Sequence, residues 1–503
     1  MANRPNLLRP AGVAVIGVVA IALLLTATPR SSALAAGDPR TADFTAVDAH
    51  VRASMEGSAV PGLAYAVVQD GAIVHLAAFG SAGPGGRAMT AQTPVVIGSV
   101  GKSITALAVR QLVEVGRIDA ASPVTRYLPW FRLAAPGSAV DGVTIQALLD
   151  HTSGLSTADG QDPRWYVPGR TPEDVVRALV GIPANRPAGT YEYSNLNYVI
   201  LGAVVEAVSG ESYGDYLRAH IFDPLGMTRS FTSLDAAAAA EPAQGHRYLF
   251  GVPVPFDEPY PSGMIAAGYQ VSTAEDMARY AAALANGGVI DGVDVVSPGG
   301  PPSEARAYGT DWQPLTPAKF NAIVSQSGST LNSNAVISEL ASERLAVIVL
   351  LNANPTQLGM PAGAADIALD VLRLASDVGP GASSPSVVTV YLVLDAILAL
   401  LAAAFVIHAS RSRTWRRRYA ESSHRLRLVA RTLVADLALP VVVLLGFPLW
   451  IGSTGSSPAG DVLAGWRFAF WTSPDVAASC LVLTLGALAL GAGKVVVAQV
   501  RRA

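Results

Sequence analysis

Two side chains able to do acid–base chemistry sit one helical turn apart in the stretch VVIGSVGKSITALAV at 95–109: Ser99 and Lys102. The lysine stands out by composition. Of 35 Lys+Arg only three are lysines, at positions 102, 319 and 494. An amine can give up its proton and act as a base, whereas a guanidinium effectively cannot. If a helix begins near Ser99, residues three apart share a face and touch. The serine then gains from the N-terminal dipole. A lysine desolvated by apolar neighbours can be held as a neutral amine that takes the serine proton.

The helix that must present this pair is predicted from its apolar stripe, Ile104, Leu107, Ala108, Leu112 and Val115, with Gly116 as the stop. Alone the tetrad is a weak signal, and a surface lysine on an ordinary amphipathic helix reads the same way. A phosphate-binding loop is excluded, because it needs a glycine five residues before Gly101 and position 96 is valine.

Around the tetrad, residues 40–376 read as mixed and globular. A helix is predicted over 44–55. GLAYAVVQDGAIVHLAAFG (62–80) is two β-rich runs joined at Asp70-Gly71, a hairpin signal. Residues 99–225 carry mainly helical patterns. NAVISEL (334–340) and RLAVIVLLN (344–352) are predicted as paired strands, followed by a helix over 361–375; DAAAAAEPA (235–243) reads as loop or helix end. Strands at both ends with helices between give the expected class: α+β, an antiparallel sheet carrying a helical insert.

Several stretches in fixed order resemble the serine β-lactamase-related family of class C β-lactamases, DD-peptidases and esterases. They are TPVVIGSVGKSITALAVRQLVEVGRIDAASPVTRYLP (93–129), LLDHTSGL (148–155), PAGTYEYSNLNYVILG (187–202) and PSGMIAAGYQVSTAEDMARYAAALANGG (261–288). The resemblance covers about 40–375 and implies roles. Ser99 becomes the nucleophile and Lys102 its base. Tyr193 shuttles protons, and Asn195 hydrogen-bonds Lys102 and the substrate amide. His151 in HTSG is read as structural, bonding backbone in a turn.

Where the family usually carries Lys-Thr-Gly or His-Ser/Thr-Gly on a strand edging the cleft, this chain has Gln326-Ser327-Gly328-Ser329. By the resemblance these four line the substrate, with Gly328 permitting its close approach and the Ser329 N–H joining the Ser99 N–H as oxyanion hole. Gln326 carries no charge. A charge-assisted hydrogen bond contributes roughly 1.5–3 kcal/mol against about 1 for a neutral one, so carboxylate recognition is expected to be weak. Tyr308-Gly309-Thr310-Asp311-Trp312 resembles the strand preceding this element and supports the register.

Composition sets the compartment. Hydrophobic residues make up 51% and charged residues 15%, below the roughly 25% charged of soluble domains, which points to membrane segments. The net charge of −3 gives no case for nucleic acid. Cys480 stands alone, and no His pair has zinc-ligand spacing, so neither disulfide, metal nor cofactor is expected.

Residues 1–35 read as a signal peptide or N-terminal anchor, with Arg4 and Arg9 before AGVAVIGVVAIALLLTA (11–27) and a small-residue cleavage site at 33–35. Residues 36–378 form the expected hydrolase domain, 379–386 a Gly/Pro/Ser linker, and 387–503 a membrane region with three spans near 387–408, 432–451 and 476–500. The loop after the first span holds eight arginines and the next loop only Arg467. The positive-inside rule therefore puts 409–431 in the cytoplasm and the 36–378 domain outside, at the cell membrane. Within the spans, Asp436 and Lys494 lie at similar depths and read either as a pair or as two side chains snorkelling separately to the nearby headgroups.

The expected function is a membrane-tethered extracytoplasmic serine hydrolase acting through an acyl-enzyme on cell-wall peptides, β-lactams, or small esters and amides. The alternative is a catalytically weak ligand-binding or sensor module, favoured by the missing cation.

Overall fold

The computed structural model describes residues 44–376 apart from 134–141, 183–186, 188, 296–312, 315–322 and 357–362. Beyond these it describes 379–381, 385–424, 428–430, 442–446 and 466–500 apart from 468 and 471. The chain divides into two units, one of residues 34–248 and 252–387, the other including 388–503.

The first unit opens with α1 (Phe44–Gly57) and the hairpin β1 (Gly62–Gln69) and β2 (Ala72–Gly83). Asp70 and Gly71 both take positive φ, +51° and +76°, as a two-residue turn matching the strand twist requires. β3 (Arg87–Ala88) continues that edge. The chain then passes through the helical layer, notably α2 (Gly101–Glu114), α3 (Asn195–Ser209) and α4 (Ala274–Ala285). It returns as β4 (Gln313–Pro314), β5 (Ile323–Ser329), β6 (Asn334–Leu340) and β7 (Leu345–Leu351), and α5 (Ala364–Ala375) follows.

The sheet runs β4-β5-β6-β7-β1-β2-β3, with every pair antiparallel. Late strands thus pair with early ones: Leu63 opposes Leu351 and Gln69 opposes Leu345. Leu63 to Val68 are all fully buried, because both faces of β1 are covered. With a period of two, Ala64, Ala66 and Val68 face the core shared with α2, α3 and α4. α5 packs on β6, β7 and α1. Fully burying one large aliphatic side chain contributes about 1.5–3 kcal/mol, so the central strands anchor the unit.

α2 departs from the amphipathic stripe expected of it. Residues 101–109, 111 and 112 are all buried, while Val115 is 54% exposed and lies just past the helix. The helix is enclosed nearly all round, and the chain turns out at Gly116 (φ +74°). The alanine-rich stretch is a short helix, Leu234–Ala237, ending in a tighter turn, Ala238–Ala240.

In the second unit, α6 (Val387–Glu421) and α7 (Pro474–Val500) contain apolar segments of 25 and 24 residues, Val387–Arg411 and Pro474–Val497. At about 1.5 Å rise per residue each exceeds the roughly 30 Å hydrocarbon core. Among the described residues two helices are therefore long and apolar enough to cross a membrane. The 432–451 span falls almost wholly outside the described residues, as do 1–43 and Tyr308–Trp312. Asp436 is also outside them; Lys494 Nζ lies 3.1 Å from His408 Nε2.

Candidate active site

Ser99 sits in a single 3-10 turn, Gly98–Val100, that leads directly into α2 at Gly101. Three glycines from three segments let the backbone close around it. A Cβ on Gly98 (φ +55°) would lie 2.5 Å from Ser329 N, and one on Gly268 would lie 2.9 Å from Gly98 C. A Cβ on Gly328 would lie 2.1 Å from Ile97 O and 2.6 Å from Ser99 N. Gly328 thus admits a close approach of the protein's own backbone, where the sequence had pointed to approach of substrate.

Lys102 is fully buried. Its Nζ lies 2.9 Å from Ser99 Oγ, 2.8 Å from Asn195 Oδ1 and 2.5 Å from Ala267 O. The last two are acceptors only and take two N–H bonds, so the third direction of the tetrahedral nitrogen points at the serine. A neutral amine there presents its lone pair to the Ser99 hydroxyl proton. The Nζ also stands 4.9 Å from the centroid of the Tyr193 ring and 5.7 Å from that of Tyr198, within reach of cation–π attraction when protonated.

Tyr193 OH lies 2.8 Å from Ser99 Oγ and 2.8 Å from Asn195 Oδ1. Tyr193 precedes α3 and Asn195 is its first residue, so one helix start delivers both groups. His151 supports that loop from below. It takes φ +55° in the turn after the Ile145–Leu149 helix. Its Nδ1 accepts from Ser194 N at 3.1 Å and from Asn197 Nδ2 at 3.0 Å, and its ring lies 4.8 Å from the Tyr193 ring. Burial first, and then the Lys102 charge, push the imidazole down to about 3. It is a neutral acceptor here, as a structural role requires.

The strand side is arranged differently. Ser327 and Ser329 are exposed on β5, but Gln326 is fully buried. Its Nε2 donates to the Ser99 carbonyl at 3.2 Å, so the amide braces the Ser99 backbone where the sequence had pointed to contact with substrate. Asn334 Nδ2 donates to Gly328 O and to Ser329 Oγ, fixing the strand end.

Three contributors carried no sequence signal. Ala267 acts through its backbone carbonyl, which no side-chain letter can announce. Tyr166 accepts from Asn195 Nδ2 at 2.7 Å and donates to Gly160 O at 2.8 Å; this sets the amide so that Oδ1 faces Lys102. Gln270 donates to Tyr213 OH at 2.8 Å, and its Oε1 occupies the place of a Gly101 Cβ, only 1.5 Å from where that carbon would be.

The described contacts bring Ser99, Lys102, Tyr193 and Asn195 into one hydrogen-bonded group. Residues 47–371 match the family described as Beta-lactamase. Penicillin-binding protein 4 of Amycolatopsis lactamdurans is 33% identical over 246 residues, 47% of this chain and 63% of that protein. A putative penicillin-binding protein, PbpX, of Bacillus subtilis is 31% identical over 198 residues, 39% of this chain and 47% of that protein. The aligned stretches span less than two thirds of either relative. The octameric penicillin-binding protein homologue from Pyrococcus abyssi superposes with a TM-score of 0.55 at 25% identity, over 68% of this chain and 79% of that one. A class C β-lactamase, at 20% identity and TM-score 0.52 over 65% and 95%, shares the fold.

Proposed function

Because the chain belongs to the β-lactamase family, we propose that residues 36–378 are an extracytoplasmic serine hydrolase domain working through an acyl-enzyme. The observation that carries this reading is the position of Ser99 Oγ, 2.9 Å from Lys102 Nζ and 2.8 Å from Tyr193 OH. Ser99 Oγ attacks the carbonyl carbon as its proton passes to Lys102, with Tyr193 as the relay. The developing oxyanion is held by the Ser99 and Ser329 N–H groups, and electrostatic stabilisation of this kind is usually the largest single catalytic contribution. The tetrahedral adduct collapses, breaking the bond to the leaving group, which departs with the proton returned through Tyr193. Water then attacks the acyl-enzyme, gives its proton to the same base, and frees Ser99.

Substrates consistent with the family are β-lactams, cell-wall peptides, and small esters or amides. A buried, uncharged Gln326 favours those without a carboxylate beside the scissile bond. The unit after the linker at 379–386 supplies the tether in this reading. Val387–Arg411 and Pro474–Val497 cross the membrane, 432–451 forms a third span between them, and the arginine-rich 409–431 stretch faces the cytoplasm. The segment 1–35 directs export.

The test is a fluorescent fluorophosphonate or penicillin on purified membranes. Wild type is expected to label and Ser99→Ala not to; equal labelling of both removes the nucleophile. Nitrocefin, p-nitrophenyl esters and D-Ala-D-Ala peptides then rank the substrate classes. Protease added outside intact cells is expected to cleave the 36–378 domain and spare 409–431.

A further inference from the structure

We infer that Glu258, with the rings of Tyr166 and Tyr269, forms a subsite for an ammonium group carried by the substrate. The inference deepens the hydrolase reading above and rests on it. Glu258 joins the two sides of the Ser99 turn. Its Oε2 accepts from Leu331 N at 2.8 Å, two residues beyond Ser329. Its Oε1 accepts from Tyr269 OH at 2.8 Å, and Tyr269 directly follows Gly268, which packs on Gly98 and Ser99 N. Tyr166, the partner of Asn195, lies with its ring 6.2 Å from that of Tyr269, edge to face. Glu258 also acts electrostatically on both phenols.

The charge balance gives this group its meaning. A carboxylate taken out of water is costly unless a cation meets it. Among the described residues Glu258 forms no ion pair. Arg247 attracts it, but that guanidinium stands over the Phe256 ring, 4.6 Å from its centroid. Burial pushes the Glu258 carboxyl above its ordinary range, against the pull of the hydrogen bonds it accepts. An arriving ammonium would meet the carboxylate beside two tyrosine rings, the kind of combination that recognises quaternary nitrogen. On the opposing strand, where the family usually places a cation, Gln326 is neutral. That position therefore offers no charge to a substrate carboxylate, while Glu258 offers one to an ammonium.

The experiment compares three p-nitrophenyl esters of equal chain length ending in trimethylammonium, the isosteric tert-butyl group, or carboxylate, with the full-length protein in detergent. Wild type is expected to favour trimethylammonium over tert-butyl in kcat/KM by about tenfold, with the carboxylate last. Glu258→Gln is expected to bring the first ratio towards one, whatever becomes of the tert-butyl rate itself. A ratio of one in wild type, or a ratio that Glu258→Gln leaves in place, overturns the subsite; in the latter case Glu258 only ties the two walls together. Turnover of all three esters by Ser99→Ala at the wild-type rate would instead overturn the nucleophile. Fluorophosphonate labelling of Glu258→Gln checks that the variant is folded.

Discussion

The two walls beside Ser99 are built to different degrees of commitment. On the helical wall every polar atom that touches the serine is itself held: Lys102 by Asn195 and Ala267, Asn195 by Tyr166, and the Tyr193 loop by His151. On the strand wall the glycine is packed against backbone, yet the residue that usually supplies charge is a glutamine turned inward onto the Ser99 carbonyl. Proton transfer depends on angles and distances of a few tenths of an ångström, so the first wall tolerates little change. Ground-state recognition of a substrate's outer groups depends on charge and shape, and the second wall can be revised without unmaking the first. In the proposed hydrolase, the reaction and its substrate would then be specified by separate walls beside Ser99.

That division can be broken by experiment. Lys102→Met removes the base while keeping most of the side-chain volume, and acylation is expected to fall by about 10³–10⁴-fold. Burst kinetics with a chromogenic ester would measure it, and a loss under tenfold would mean that another group takes the proton. Gly328→Ala places a methyl 2.1 Å from Ile97 O and 2.6 Å from Ser99 N. It is expected to cost about 10²–10³ in kcat by displacing an oxyanion donor, with KM for small esters little changed. If kcat survives, the strand wall takes no part in the reaction.

Gln326→Lys should sharpen the comparison. It restores a cation near the cleft and is expected to raise the rate of labelling by a penicillin by about tenfold, the worth of roughly 1.4 kcal/mol of charge assistance. Because Gln326 also holds the Ser99 carbonyl, the readout is the ratio of penicillin to neutral-ester rates, which is expected to rise by that factor. An equal rise for neutral and anionic substrates would show that the lysine acts on the nucleophile, not on the ligand.

The smallest effect concerns pH. His151 is held at about 3, against 6.5 in the unfolded chain, so the unfolded state binds the extra proton. Its contribution to stability is fully present above pH 6.5 and is lost as pH falls from there towards 3. At pH 5 this amounts to about 2 kcal/mol. Urea unfolding at several pH values should show that slope, and His151→Asn should flatten it even if the variant is less stable throughout.

Much of this was legible in the sequence because local chemistry and fold agree. Asp70-Gly71 announces its turn through two of the few residue types that take those angles easily. The strand within 344–352 announces itself by the unbroken apolar run 345–351, and NAVISEL at 334–340 precedes it as its pairing partner. Ser99 and Lys102 stand out by type and spacing, and Tyr193 and Asn195 only through the ordered stretches that resemble the family. Illegible were the features set by tertiary contact. The direction in which Gln326 turns depends on a backbone oxygen 227 residues away. Glu258 reads as one more loop carboxylate until Tyr269 and Leu331 close on it. Val115 fits a helical stripe on paper, but α2 ends before it, and the residue emerges at the surface.

The spacer between Ser99 and Lys102 carries its own constraint. Gln270 Oε1 fills the room a Gly101 side chain would need, and its amide is tied to Tyr213, so position 101 cannot gain a side chain while that amide stays in place. Any lineage or engineered library that puts a side chain at 101 must either shorten the residue at 270 or give up the Gln270–Tyr213 hydrogen bond. Single-site screens are therefore expected to score position 101 as costly, and a shortened residue at 270 to relieve that cost.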